Sequence, residues 1–261
     1  MSFFSVVKVE LVKLYHKRIS LLLLLFFIPP VLFGVGMFLG VSFFVSDGGT
    51  GGVDAVGISL SGLGFAVNMM EQSKYIIFLV VIILAAASLS GELENGQMKS
   101  EIIRICSRSK IVGAKYTALL TLVFGAIILS LLWSLLIYSM FVRNTVFASG
   151  QIFDELSAVQ VGYIVFSMLG IGTAVSVTFF LGTKMKTFPC FAVSYILWFV
   201  SLYTDFIENV KLLVPYNMPN ALLSMGKMPA GSAVYAGLYI GYCLVFILLS
   251  NVLIKISDIK S

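Results

Sequence analysis

Six long runs without a charged residue limit what this 261-residue chain can fold into. A helix needs about 20 apolar residues to cross a hydrocarbon core of about 30 Å, and each run has that length or comes close to it. Only 11% of the residues are charged, against about 25% in an average soluble domain. Both a water-soluble globule and a disordered chain are therefore excluded. The runs predict six transmembrane helices at about 19–46, 75–91, 116–142, 156–183, 187–204 and 228–254.

Two shorter apolar runs, 55–70 and 212–226, do not fit a lipid-facing helix. The first contains three glycines and Asn68, and the second contains two prolines and two asparagines. Backbone polar groups in hydrocarbon must be satisfied within the helix, which such residues hinder. The segment between the last two spans, 205–227, is too polar to cross but apolar enough to dip into the outer leaflet.

Lysine and arginine residues are divided unevenly between the two sides of the predicted bundle. An even number of spans puts both termini on one side, and 13 of the 17 basic residues fall there. Cytoplasmic loops of membrane proteins carry such an excess. The chain is therefore predicted to be a multi-pass protein of the plasma membrane with both termini in the cytoplasm. This topology accounts for the basic pI of about 9.0, and no aromatic and basic stripe indicates a nucleic-acid partner.

Residues 1–18 are predicted to form an amphipathic helix that lies in the membrane interface and contacts lipid headgroups. Its apolar face is predicted from the helical spacing of five side chains. The charged residues Glu10, Lys13 and Lys17 are expected on the opposite face. The alternative is that the segment simply extends the first span into the cytosol. The predicted apolar face consists of Phe4, Val7, Leu11, Leu14 and Tyr15.

The cytoplasmic loop between the second and third spans, residues 92–115, carries the clearest functional signal. Gly96 is expected to end one helical piece, and 97–106 is expected to form another. On that piece Met98, Ile102, Ile105 and Cys106 project one way. Such an apolar stripe fits a groove on a partner protein. The alternative is a helix that rests on lipid headgroups without a partner.

Several short motifs in and before this loop resemble one known family. Glu92-x-Glu94-x-Gly96 is followed about a dozen residues later by Ser107-Arg108 and then by Gly113-x-Lys115. The pattern resembles the E-x-E-x-G-T, P-x-S-R and G-K segments of type 2 ATP-binding-cassette (ABC) exporter permeases. The segment 9–13 and the proline-containing first span are similar to permeases that export lantibiotics and other antimicrobial peptides.

The resemblance implies an all-helical, single-domain permease over residues 1–261. It implies an N-terminal interfacial helix, six spans, a cytoplasmic coupling helix between spans 2 and 3, and short outer re-entrant helices between spans 5 and 6. Its partners would be a cytoplasmic ABC ATPase and a second permease, identical or paralogous, with a bacterial plasma membrane as the location. The residues that the resemblance and the loop pattern assign to ATPase coupling are Glu92, Glu94, Gly96, Met98, Ile102 and Arg108.

The chain is not expected to be an enzyme by itself. It lacks the phosphate loop G-x-x-x-x-G-K-[ST], so ATP and Mg²⁺ are expected on the partner ATPase, and no cofactor is expected on this chain. Its single histidine, His16, rules out an H-E-x-x-H zinc site. Mid-membrane acids, the usual mark of ion-coupled transport, are missing from the predicted spans.

Two questions of function stay open. The cargo is expected to be an amphipathic peptide, with a small hydrophobic drug, a lipid or a glycan as the alternative. A stand-alone pore or immunity protein without an ATPase is the remaining competing class.

Overall fold

The computed structural model describes residues 2–40, 60–98, 108–206, 211–229 and 231–256. Within these ranges the chain is helical, and no strand is present beyond an isolated bridge between Leu60 and Ala148. Stretches of 3-10 helix at Arg18–Phe27 and Tyr203–Phe206 and a π-helical turn at Tyr138–Val142 join or extend the main helices. The α-helices are α1 Phe3–His16, α2 Ile28–Phe38, α3 Gly62–Gln72, α4 Lys74–Glu94, α5 Arg108–Ile137, α6 Ser157–Gly182, α7 Thr187–Leu202, α8 Met218–Met225 and α9 Ser232–Ile256.

Five helices in the described ranges are long and apolar enough to cross a membrane. The prediction of an all-helical, multi-pass membrane protein is confirmed at that level. Helix α7, predicted as the fifth of six spans, has 16 residues and a length of about 24 Å, so its crossing stays a prediction. The five are Arg18–Phe38, Lys74–Glu94, Ser109–Val142, Ser157–Gly182 and Ser232–Ile254.

The first span changes helix type at its proline pair. A 3-10 stretch ends at Phe27, and Pro29 and Pro30 occupy the first positions of α2, where proline is tolerated. Because Pro30 has no N–H, it leaves the carbonyl of Phe26 without its usual helical donor. The hydroxyl of Ser130 on α5 donates to that carbonyl at 2.9 Å. The break in the first span is thus stabilised by a neighbouring helix.

Helix α3 lies inside the bundle. Nearly all of its residues are buried, and it contacts α2, α5 and α6. Its start is fixed by the hydroxyl of Tyr138, which donates to the carbonyls of Leu60 and Gln151 at 3.0 and 3.1 Å. Of the segment 55–70 that the sequence excluded as a lipid-facing span, the described part from Gly62 onward belongs to this 11-residue core helix.

Helices α4 and α5 extend beyond the charge-free runs at the end of the bundle where α1 lies. Helix α4 continues to Glu94, and α5 begins at Arg108 rather than at Tyr116. Charged residues therefore lie within these helices, and the link between them is shorter than the predicted loop 92–115. Helix α1 packs along this end of α5.

Between α7 and α9 the described chain contains a 3-10 turn and the short helix α8. Met218 and Leu222 of α8 are fully buried, and the helix packs on α6. The α8 helix ends at Gly226, which has a φ of +61°. That 205–227 dips into the outer leaflet stays a prediction.

Candidate functional site

Five charged side chains from α1, from the residue that follows it, and from α4 and α5 form one ionic cluster, the Lys115 cluster. The Lys115 ammonium group of α5 is wholly buried and binds two carboxylates, Glu10 of α1 at 2.8 Å and Glu92 of α4. The Lys17 Nζ lies 2.6 Å from Glu92 Oε1, and the Lys13 Nζ lies 3.0 Å from Glu10 Oε1. Each carboxylate therefore bridges one buried and one partly exposed ammonium group.

The helical spacing of α1 explains how Glu10 reaches this position. Val6, Glu10 and Leu14 are the buried residues of the helix, one turn apart on the face that packs on α5. The prediction that Glu10 lies on the solvated face of α1 is wrong, since its side chain is only 2% exposed. Glu10 is tolerated on the buried face because Lys115 meets it there.

The first helix is also separate from the first span. Helix α1 ends at His16, and Lys17 has an extended backbone with a ψ of 128°. The alternative that the N-terminal segment merely prolongs the first span is not supported by this break. The break places the side chain of Lys17 beside Glu92.

Solvation explains which charges are buried and which are not. Removing an ammonium group from water costs several kcal/mol unless it is paired and hydrogen-bonded. Lys115, with two carboxylates, meets that condition at 0% exposure. Lys17 and Lys13, at the edge of the cluster, keep 31% and 38% of their side-chain surface exposed. The cluster therefore fixes α1, α4 and α5 relative to one another.

Of the six residues predicted to couple to an ATPase, only Glu92 belongs to the cluster. Gly96 has a φ of +69° just after α4, so the prediction that it ends a helix is confirmed. Ile102 lies outside the described residues. Arg108 begins α5, and its side chain also lies outside what is described.

Met98 requires a correction. Its side chain is 1% exposed and belongs to the main group of buried apolar residues in this chain. The apolar stripe was expected to present Met98 to a partner protein. Instead Met98 lies beyond the end of α4 and is covered by other residues of this chain.

Glu94 is exposed and forms a second contact at the same end of α4. Its Oε2 accepts hydrogen bonds from the backbone N–H of Thr187 at 3.1 Å and from the Thr187 hydroxyl at 2.9 Å. One turn earlier, the Ser90 hydroxyl donates to the carbonyl of Met185 at 2.5 Å. The last turn of α4 thus holds the turn that leads into α7.

Sequence reasoning missed Glu10 and Lys115 as members of the site. Lys115 was part of the motif Gly113-x-Lys115, and Glu10 was placed on the solvated face of α1. The available signal was the spacing of Val6, Glu10 and Leu14, which puts a carboxylate in line with two apolar residues. Charge alone gave the opposite prediction.

The Lys115 cluster has a structural role. In the described ranges no group of three or more histidine, cysteine, aspartate or glutamate side chains is placed to hold a metal ion. His16 is exposed, and its Nδ1 contacts the carbonyl of Val12 at 2.9 Å. The Lys115 cluster contains only two carboxylates and three ammonium groups that pair with one another, so its effect is to hold three helices together.

These features define the class as a multi-pass helical membrane protein whose N-terminal helix is joined to two long helices by buried charges. The chain belongs to the DUF2705 family, which is described as a protein family of unknown function and whose profile matches residues 53–260. The matched range includes Glu92 and Lys115 but not Glu10 or Lys17. A comparison with curated proteins gives no match.

Proposed function

We propose that the chain is the membrane-spanning subunit of an ATP-driven ABC exporter. It would move a hydrophobic or amphipathic cargo, an amphipathic peptide in the first instance, outward across the plasma membrane. A separate cytoplasmic ATPase would bind ATP and Mg²⁺, and a second copy or a paralogue would complete the pathway. The resemblance of the first loop to type 2 ABC permeases supports this proposal.

The observation that carries the proposal is the Lys115 cluster. It joins α1 to the ends of α4 and α5, and these two helices flank the first loop. A loop that transmits force needs a stiff base, because a flexible base would absorb the movement. Two carboxylates on one buried ammonium group provide that stiffness, since separating them would leave buried charges without partners. A movement of the ATPase against the first loop would then displace the three helices together.

The proposed topology has six spans with both termini in the cytoplasm. Helix α7 serves as the fifth span, extended by the 3-10 turn Tyr203–Phe206. Helix α1 lies in the interface, where the exposed Phe4 and Tyr15 would contact lipid. The basic residues Lys184 and Lys186, between α6 and α7, would face the cytoplasm and agree with the positive-inside rule.

The topology is tested by labelling single cysteines in intact cells. In a background with Cys106, Cys190 and Cys243 replaced by serine, Ser149→Cys should react with an impermeant thiol reagent. Lys184→Cys should react only after the membrane is permeabilised, because it lies on the cytoplasmic side. Reaction of Lys184→Cys from outside in intact cells would contradict the six-span arrangement.

The ATPase partner is tested by purifying the tagged chain from its native membrane in mild detergent. A photoreactive ATP analogue should label a co-purifying polypeptide, and the complex should hydrolyse ATP. Ile102→Asp should weaken this association, because it would bury an unpaired charge in the contact. A cost of about 2 kcal/mol for that burial lowers the affinity roughly 30-fold. The matched control is Val146→Asp, at a side chain that is 92% exposed in the link between α5 and α6.

The outcome also separates the competing functions. Full recovery of the labelled polypeptide with Ile102→Asp would indicate that the first loop rests on lipid and does not dock the ATPase. Absence of any ATP-binding polypeptide from the parental preparation would favour a stand-alone pore or immunity protein. Mass spectrometry of small molecules in the same preparation would distinguish peptide from drug, lipid or glycan cargo.

A further inference from the structure

Helix α7 begins without a capping side chain from its own segment. The first N–H groups of a helix have no partner within the helix and need an acceptor from elsewhere. Lys186 precedes the helix with an extended backbone, and its side chain makes no capping hydrogen bond. The acceptor comes from α4, because Glu94 Oε2 accepts from both the N–H and the hydroxyl of Thr187. A carboxylate also suits the positive end of a helix dipole.

The backbone beside this contact brings α4 close to the turn before α7. A Cβ on Gly182 would lie 3.4 Å from the Cβ of Ser90, and a Cβ on Gly91 would lie 3.5 Å from the Thr187 hydroxyl. At both positions an added Cβ would only reach ordinary van der Waals contact, so α4 and the turn before α7 lie side by side here. With the bond from Ser90 to the carbonyl of Met185, α4 holds this turn at two points.

A third contact joins the same two helices nearer their other ends. The rings of Phe78 on α4 and Trp198 on α7 are stacked, with centroids 4.6 Å apart and planes inclined by 16°. Tyr75 adds an edge-on contact to Trp198 at 5.8 Å. Aromatic pairs of this geometry contribute beyond the area that they bury. Helices α4 and α7 are therefore linked at both ends.

We propose that Glu94 is a positioning residue that caps α7 from the first loop and makes α4 and α7 move as one body. The inference rests on the proposed function for its purpose, because it extends the movement of the loop to a further span. It also changes the predicted role of Glu94, which acts on α7 within the chain instead of contacting the ATPase. The contact at Thr187 is the means by which it does so.

The cap is tested with the chain alone in lipid nanodiscs by hydrogen exchange. Glu94→Ala should speed exchange at the amide of Thr187 at least several-fold, because that N–H loses its acceptor. Glu94→Gln should restore part of the protection, since its amide oxygen still accepts. Asn95→Ala, at the exposed next residue, is the matched control and should leave this amide unchanged.

The positioning role is tested by a distance measurement on the same sample. Spin labels at Ile76 on α4 and Phe188 on α7, both exposed, should give one narrow distance distribution in the parent. Glu94→Ala should broaden it while the thermal midpoint stays unchanged, which separates loss of positioning from loss of fold. Thr187→Pro keeps a residue suited to the first helical position but removes both donors. It should give the same broadening, and adding Glu94→Ala should broaden no further.

Three outcomes would overturn the proposal. They are unchanged exchange at Thr187 in Glu94→Ala, an unchanged distance distribution in that variant, and additive effects of Glu94→Ala and Thr187→Pro. None of these measurements needs an ATPase. Failure to find an ATP-binding partner would therefore contradict the proposed function and leave the capping result standing.

Discussion

Lys115→Met is expected to destabilise the folded protein by about 3–5 kcal/mol, the usual cost of breaking a buried ion pair from one side. The substitution keeps most of the side-chain volume but leaves Glu10 and Glu92 buried at the same place without their shared ammonium group. Lys17 and Lys13 compensate only in part, because each lies at the edge of the cluster. The measurement is the midpoint of thermal unfolding in mild detergent, followed by size-exclusion chromatography.

Two further variants show whether loss of the Lys115 cluster causes the destabilisation. Lys110→Met removes an exposed charge from the same helix and should leave the midpoint unchanged. Combining Lys115→Met with Glu10→Gln and Glu92→Gln removes the buried carboxylate charges and should recover much of the loss, since neutral replacements avoid the buried charge. A midpoint for Lys115→Met equal to that of Lys110→Met would show that the cluster is hydrated and carries no stability.

The sequence predicted the fold class well because membrane helices leave a signal within each segment. Long runs without charge require helices, and five of the six predicted spans coincide with long apolar helices. The ends of α4 and α5 were predicted less accurately than the spans themselves. A charge-free window stops at the first charged residue, whereas a helix continues past it when that residue has a partner, as Glu92 and Lys115 do.

The site was predicted only in part because it depends on contacts between distant segments. Glu92 was found through a local motif, but Glu10 and Lys115 are 105 residues apart, and no local pattern pairs them. The face of α1 was predicted wrongly for the same reason, because a charged residue is assigned to water unless its partner is known. The prediction for Met98 was wrong because an apolar stripe on a loop can pack on its own chain as readily as on another protein.

The approach of α2 to α5 is a packing feature that depends on one residue. A Cβ on Gly34 would lie within 3.0 Å of the Cγ2 of Ile137, a side chain that is itself only 4% exposed. Because the β-branched Ile137 is stiff at χ1, it has little freedom to move aside. The first span can therefore reach the end of α5 only with glycine at position 34.

Gly34→Ala is accordingly expected to destabilise the protein, because the cost of overpacking exceeds the gain in helix propensity. Alanine in a helix interior gains about 0.5–1 kcal/mol over glycine, whereas an overpacked core loses about 1–3 kcal/mol. The net loss is observed as a lower unfolding midpoint in the detergent assay described for Lys115→Met. In a double-mutant cycle, Gly34→Ala should cost less in an Ile137→Ala background than in the parent, because that background lacks the Cγ2 that the new methyl group contacts.

Gly125→Ala is the matched control, since a Cβ on this glycine of α5 meets nothing within 4 Å. It should leave stability unchanged or raise it by about 0.5–1 kcal/mol, the propensity gain without the clash. The contrast between the two glycines separates helix propensity from helix contact. If Gly34→Ala and Gly125→Ala stabilise the protein equally, α2 and α5 do not approach each other at Gly34.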